Sequence, residues 1–237
     1  MNSKYLSIYN EITTMIENGK IKPNAKLPSE NELMQEYSVS RDTIRKALNL
    51  LAQNGYIQKV RGKGSFVLDI NRFDFPVSGL VSFKELAEKI NKESKTYVHK
   101  LELINPDGFL MKQLNLSSND SIWEVIRIRQ IGNEKIILDK DFLNAKFVPT
   151  LTKEICEDSI YEYLEKELGL KISFAKKVIT VEENTKEDRS CLDLKNYNNI
   201  VVVRNYVYLD DTSLFQYTES RHRPDKFRFV DFARRNY

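Results

Sequence analysis

The sequence predicts an α+β chain, with a winged helix-turn-helix over residues 1–70 and an α/β domain built on an antiparallel sheet over residues 79–237. Three observations predict it. Capped amphipathic helical segments crowd the first 55 residues, a basic hairpin punctuated by glycines follows them, and beyond residue 78 the pattern changes to strand-like and helical stretches in alternation.

The first helix is expected over residues 5–18, where Ile8, Ile12, Met15 and Ile16 make an apolar stripe at helical spacing and Gly19 ends it. Pro28 and Ser29 open a second helix. Ser29 and Glu32 have the spacing of a capping box, Leu33 and Tyr37 supply the apolar face, and the amides of the first turn suit a DNA phosphate. Only Ser38 and Val39 separate Tyr37 from the next cap, Ser40, so the chain must turn sharply into a third helix. In that helix Ile44, Leu48 and Leu51 face inward with Ala47, which turns Arg45, Asp42, Lys46 and Asn49 outward. Gly55 closes it. Residues 56–60 read as a strand, Arg61-Gly62-Lys63-Gly64 as a turn, and residues 65–68 as the returning strand.

Charge follows the same division. Residues 1–70 hold ten Lys or Arg against seven Asp or Glu, which accounts for the whole net charge of +3. Between Ser40 and Ser65 the bases are Arg41, Arg45, Lys46, Lys59, Arg61 and Lys63, and the sole acid is Asp42. A patch of this kind attracts phosphate and releases counterions. Arg41 and Thr43 lie in the first turn, where a recognition helix meets base edges, and Arg41 and Arg45 are the candidates for bidentate contact with guanine. The run Gly62 to Ser65 is not a nucleotide phosphate loop, because the motif's first glycine is missing at its offset and no helix follows.

Composition bounds the remainder. A chain of 237 residues, 41% hydrophobic and 30% charged, suits two soluble domains. The N-terminus carries no apolar signal segment, no membrane partner is expected, and Cys156 and Cys191 read as reduced thiols of a cytoplasmic protein. With His99 and His222 the only histidines, a metal site or a histidine-dependent triad has little material. No cofactor is expected.

Residues 71–78 read as a linker, interrupted by Asn71, Asp74 and Pro76. Beyond it a helix is expected over 82–90, a strand over 97–104, a long hairpin over 122–143 turning at Gly132-Asn133, and a helix over 159–168. Strands are expected over 172–182, 200–209, 213–221 and 227–232. One strand carries chemistry. In residues 125–131 both faces hold apolar side chains, so Arg127 and Arg129 share a partly enclosed face and need anionic partners. Asp139 or Asp141 on the returning strand is one solution, and a bound phosphate is the other. Ser159 and Glu162 repeat the capping-box spacing at a helix start, which serves either a plain cap or an anion. Glu219 and Arg221 share a strand face, suited to sugar hydroxyls or to a surface ion pair.

Residues 27–67, LPSENELMQEYSVSRDTIRKALNLLAQNGYIQKVRGKGSFV, resemble the DNA-binding domain of the GntR family of bacterial regulators. The resemblance implies DNA contacts at Ser29, Ser40, Arg41, Thr43, Arg45, Gly62, Lys63 and Gly64, with Lys46 and Arg61 in the same basic patch. Asn31 departs from the arginine found in many members. The segments GLVSFKELAEKI, WEVIRIRQI, DSIYEYLEKELG and FQYTESRHRPDKFRF resemble the UTRA effector-binding domain, of chorismate-lyase-like fold, in the HutC branch of that family.

Over essentially its full length the chain resembles the trehalose-operon regulators of that branch, and this resemblance implies a sugar-phosphate effector, trehalose 6-phosphate, in a pocket lined by Ser82, Phe83, Arg127, Arg129, Ser159, Tyr161 and Glu219. It also implies a homodimeric repressor on double-stranded operator DNA, with half-sites about one helical turn apart. Two other classes are weighed. A lyase-like enzyme domain lacks a paired acid and base or a nucleophile with its partners, and a DNA-binding module with a purely dimerising second domain would ignore every phosphosugar.

Overall fold

The computed structural model describes residues 4–68, 83–85 and 93–229, and the chain divides into two compact units. The expected linker and Ser82 lie outside the described residues.

In the first unit, α1 (Lys4–Glu17), α2 (Glu30–Tyr37) and α3 (Arg41–Gln53) precede a hairpin of β1 (Ile57–Val60) and β2 (Gly64–Val67). The apolar stripes foreseen for the helices converge. Ile8, Ile12, Ile16, Leu33, Ile44, Ala47, Leu48 and Leu51 form one buried cluster with Leu27, Ile57 and Val67. Burial of such side chains is what holds a unit this small together. The α2–α3 turn closes through Ser38 in the left-handed region at φ 50°, a conformation polar short side chains tolerate best after glycine. Lys26 bridges to Phe66 and extends the hairpin by one pairing.

The second unit is a six-stranded, wholly antiparallel sheet in the order β3-β4-β5-β8-β7-β6. Its strands are β3 (Ser94–Ile104), β4 (Ile122–Ile131), β5 (Glu134–Asn144), β6 (Ile172–Glu183), β7 (Asn199–Leu209) and β8 (Leu214–His222). The β4–β5 turn falls at Gly132, φ 59°, as the sequence predicts. The helix expected over 159–168 is there, but only Ile160–Glu162 is α-helical and Tyr163–Glu167 continues as a π-helical turn. Residues 83–85 are helical, and the rest of the helix expected over 82–90 lies outside the described residues.

Three helices were not legible from periodicity: α4 (Gly108–Leu114), α5 (Lys153–Glu157) and, after α6 (Ile160–Glu162), α7 (Lys186–Cys191). Each is two turns or shorter, too brief for a 3.6-residue repeat to stand out. Each is announced instead by its cap, Asp107, Thr152 or Thr185. Of the strand expected over 227–232, Phe227 and Arg228 are not in a strand, Phe229 makes a β-bridge, and residues beyond 229 are outside the described set; Pro224–Lys226 just before it is a 3₁₀ turn. Proline at the head of that segment fixes φ and removes a ladder donor, which favours the turn.

The sheet buries both faces. On one, Val125, Leu143 and Val207 pack with Val148, Leu151, Cys156, Ile160 and Leu164 beneath α5 and α6. On the other, Leu110, Leu114, Ile122, Phe142 and Tyr217 pack at α4, and Ile126, Ile128, Leu138, Ile200 and Val202 pack with Cys191 and Leu192 at the end of α7.

Candidate nucleic-acid interface and ligand cavity

In the first unit, both serine caps do what their spacing predicts. Ser29 accepts from the Glu32 amide at 3.3 Å while Glu32 accepts from the Ser29 amide at 2.7 Å, a reciprocal capping box. The Ser29 amide, and after it the Ser29 hydroxyl, hold the Glu32 carboxyl below its ordinary pKa. Ser40 accepts from the Thr43 amide at 3.4 Å and shares a hydroxyl contact with Thr43 at 3.0 Å. With the core side of α3 buried, Arg41, Arg45 and Lys46 project into solvent.

Both arginines are steadied by α2. Arg41 donates to Asn31 at 2.7 Å, and Arg45, its side chain 57% exposed, pairs with Glu30 at 3.0 Å. Asn31 therefore orients a guanidinium of α3. Lys46 pairs with Asp42 at 2.8 Å along the helix. Such exposed pairs are worth little and exchange readily for phosphate. At the wing, Arg61 and Lys63 are exposed, and Gly62 and Gly64 take φ of 75° and 107°, which a side-chain-bearing residue rarely adopts. At Gly64 a Cβ would stand 2.8 Å from the Lys26 side chain.

In the second unit, register decides the geometry. Arg127 pairs with Asp139 and Asp139 with Ser220, while Val125 pairs with Asp141 and Asp141 with Thr218. All of these side chains share the face covered by α6. Arg127 donates to Asp141 at 3.1 and 2.7 Å and to the Cys156 carbonyl at 3.3 Å. Arg129 donates to Asp139 at 2.8 Å and to Thr96 at 2.7 Å, and its guanidinium lies 4.8 Å from the centre of the Phe83 ring. The sequence left either aspartate open as a partner, and the structure uses both.

These arginines are 6% and 3% exposed, so burial is the main influence on every charge here. It pushes the Asp141 carboxyl up despite Arg127, and it pushes the Arg129 guanidinium down. At Asp139 burial acts the same way but is outweighed by Arg129 and Arg127 and by the Ser220 hydroxyl, and the carboxyl stays below its ordinary value. Tyr161 is pushed up by burial and by Asp141, so its hydroxyl remains a donor at neutral pH. Ser159 is buried and caps α6, accepting from the Glu162 amide at 3.2 Å.

Between the sheet and the start of α6 lies a small cavity of about 130 Å³, open to solvent. Phe83, Arg127, Arg129, Ser159 and Tyr161 line it, together with Asp139, Asp141, Lys84 and Lys177 and three uncharged polar side chains, Asn205, Thr218 and Ser220. Lys84 is held by Asp158 at 2.7 Å and by Glu162 at 3.0 Å. Among the described residues Nη2 of Arg129 meets no acceptor, which leaves a guanidinium edge for an incoming anion.

Glu219 is not in this cavity. Its neighbours Thr218 and Ser220 face it, so Glu219 projects from the opposite face, where it accepts from Arg204 at 3.1 Å and from Arg221 at 2.7 Å. Arg221 in turn is clamped by Asp188, which is fully buried. Glu219 and Arg221 do share a face, as the alternation predicts, and it is the ion-paired one. The uncharged lining and the two lysines escaped the sequence reading. Thr218 and Ser220 flank Glu219 at spacing two and were legible as the alternative face.

A winged helix with an exposed basic recognition helix, in one chain with a sheet domain that encloses a charged cavity, defines a DNA-binding regulator rather than a catalyst. Residues 4–67 match the model of the gntR family of bacterial regulatory proteins and residues 89–228 that of the UTRA domain. The chain belongs to the GntR family of transcriptional regulators. It is similar to the HTH-type transcriptional regulator TreR of Bacillus subtilis strain 168, 62% identical over 233 residues and 98% of each chain. The solved effector-binding domain of the B. subtilis trehalose repressor is 64% identical at a TM-score of 0.57, covering 60% of this chain and 99% of that one. The crystal structure of the possible transcriptional regulator YydK from B. subtilis is 28% identical at a TM-score of 0.80, covering 98% and 100%. No helix among the described residues is long and apolar enough to cross a membrane.

Proposed function

We propose that this protein is the repressor of a trehalose-utilisation operon, released from its operator by trehalose 6-phosphate. The cavity beside Arg127 and Arg129 is the observation that carries the reading. Two buried guanidiniums, a capped helix start and a protonated tyrosine converge on one open space, a donor set suited to a phosphoryl group. The 62% identity to TreR over 98% of each chain supports trehalose as the sugar.

In this reading two copies of the chain place their α3 helices in successive major grooves of a palindromic operator. Arg41 and Arg45 read base edges there, while Ser29, Ser40, Thr43, Lys46 and the wing residues 61–64 fix the phosphates. The phosphate of the effector takes the free edge of Arg129, with Arg127, Ser159 and Tyr161 around it and Phe83 against the guanidinium. Because both arginines already hold carboxylates, the anion joins a charged network instead of filling an empty one. That makes its binding sensitive to how the aspartates are placed. If sugar phosphate prefers a state whose DNA-binding units are wrongly spaced for the operator, its differential affinity draws the population off the DNA.

Titration of the operator complex with trehalose 6-phosphate tests this directly. Release at a concentration that glucose, trehalose and inorganic phosphate do not match supports the reading. An operator complex indifferent to trehalose 6-phosphate and released by another phosphosugar would replace the sugar, and indifference to all of them would leave the second domain without an effector.

A further inference from the structure

The first turn of α2 is tied to the first turn of α3 by a side-chain hydrogen bond between neutral and charged partners. Asn31, the second residue of α2, accepts at Oδ1 from Nη2 of Arg41, the first residue of α3, at 2.7 Å. Asn31 also borders the same open, shallow depression as Ser40 and Thr43, the capped start of the recognition helix. Both Asn31 and Arg41 are exposed, so their bond contributes little to folding. Among the described residues, neither the Nδ2 amide of Asn31 nor the other guanidinium N–H groups of Arg41 meet an acceptor.

That bond decides what Asn31 can do on DNA. A carboxamide reads adenine with both of its ends, the oxygen on N6 and the amide on N7. The Asn31 oxygen is already engaged, so the pair turns only donors outward, the Nδ2 amide and the remaining N–H groups of Arg41. In the major groove guanine offers such an edge two adjacent acceptors, N7 and O6. A free arginine has many rotamers to lose when it docks on a base, and tethering it beforehand reduces that cost. Because the tether is a neutral oxygen, the charge of the guanidinium stays available to the DNA.

From this, and resting on the reading of Arg41 as a base contact, we infer that Asn31 is a positioning residue that sets base preference through Arg41. It holds the guanidinium in the orientation that meets a guanine, and its own amide is not the reader. Asn31 therefore matters to sequence preference only while Arg41 is present.

The test uses a duplex that the full chain selects from a random pool, with each base pair of a half-site then replaced in turn and affinity read by fluorescence anisotropy. Arg41→Ala should abolish the preference for G·C at one pair per half-site, which identifies that pair. Asn31→Ala should reduce the preference at the same pair about three- to tenfold, the gain expected from holding one long side chain in place. It should leave the urea unfolding midpoint unchanged and add nothing further in the Arg41→Ala background. Asn31→Asp keeps the acceptor and loses the amide donor. It should retain the preference while binding every duplex more weakly, because it brings a negative charge to the phosphates. An Asn31→Ala effect of equal size without Arg41, or loss of the preference in Asn31→Asp, would make Asn31 itself the base reader and overturn the inference. Parent-like discrimination in Asn31→Ala overturns it as well, while leaving Arg41 a base contact. If Arg41→Ala keeps the parent's preference at every pair, the base-reading role of Arg41 fails and this inference fails with it.

Discussion

Replacing Arg129 by leucine removes the most deeply buried guanidinium of the cavity and strands Asp139. The pair is 2.8 Å apart, with the arginine side chain 4% exposed and the aspartate 13%. Breaking one partner of a buried pair costs about 3 to 5 kcal/mol. Asp139 keeps a 2.6 Å bond from Ser220 and the attraction of Arg127, so the lower end applies, about 3 kcal/mol. In a protein of this size that lowers the melting temperature by roughly 6–12 °C.

Asp139→Leu alone should cost a similar amount, because among the described residues it leaves Arg129 with Thr96, the Phe83 ring and the attraction of Asp141. The combined Arg129→Leu, Asp139→Leu variant removes both charges and leaves the Arg127–Asp141 pair in place. It forfeits hydrogen bonds to Thr96 and Ser220, about 1 kcal/mol each, so its stability should lie well above the sum of the two losses. Urea unfolding of the four proteins, with matching slopes, measures the coupling, expected at about 1–3 kcal/mol. The double variant should fold, bind operator and ignore trehalose 6-phosphate, which separates the anion role of Arg129 from its structural one. Strictly additive losses, or an Arg129→Leu cost under about 1 kcal/mol, would refute the argument that these charges are desolvated and mutually compensating.

Other outcomes follow from the same structure. Arg45→Ala should leave the unfolding midpoint unchanged, since its ion pair with Glu30 is exposed. It should nevertheless weaken operator binding by about 1 to 3 kcal/mol, and wild-type affinity by fluorescence anisotropy would remove it from base recognition. Lys63→Ala at the wing should weaken binding to operator and random duplex alike and reduce the salt slope by about 1; a loss confined to operator would make it a base reader.

His222 is buried, and burial lowers its pKa from 6.5 to about 4. The unfolded chain therefore takes up this proton first as pH falls. The stability it represents is complete above about pH 6.5 and is lost on the way to pH 4. Between pH 7 and pH 5 the loss should be about 2 kcal/mol, and it should be largely absent in His222→Gln, as followed by urea unfolding at the two pH values. The other histidine, His99, is exposed, so a pH dependence that survives the substitution would place the responsible group elsewhere.

The first unit was almost wholly legible from its residues because everything that defines it is local. Caps at Ser29 and Ser40 mark helix starts by spacing alone, and the apolar stripe of α3 dictates by elimination that Arg41, Arg45 and Lys46 face solvent. The strands of the second unit were equally local. Its short helices were not, since α4, α5 and α7 are shorter than the repeat that would reveal them.

What the sequence determined by itself, then, was the helices and wing of the first unit and the strands of the sheet, the pairing of Arg127 with Arg129 on one face and of Glu219 with Arg221 on another, and the need of buried arginines for acids. Only the tertiary structure decided which face of β8 meets the cavity. A strand's side chains alternate strictly, so a pairing shifted by one residue exchanges every inward group for its neighbour. That single choice placed Thr218 and Ser220 beside the arginines, sent Glu219 to the far side, and aligned Lys177, Asn205 and Thr218 across three neighbouring strands.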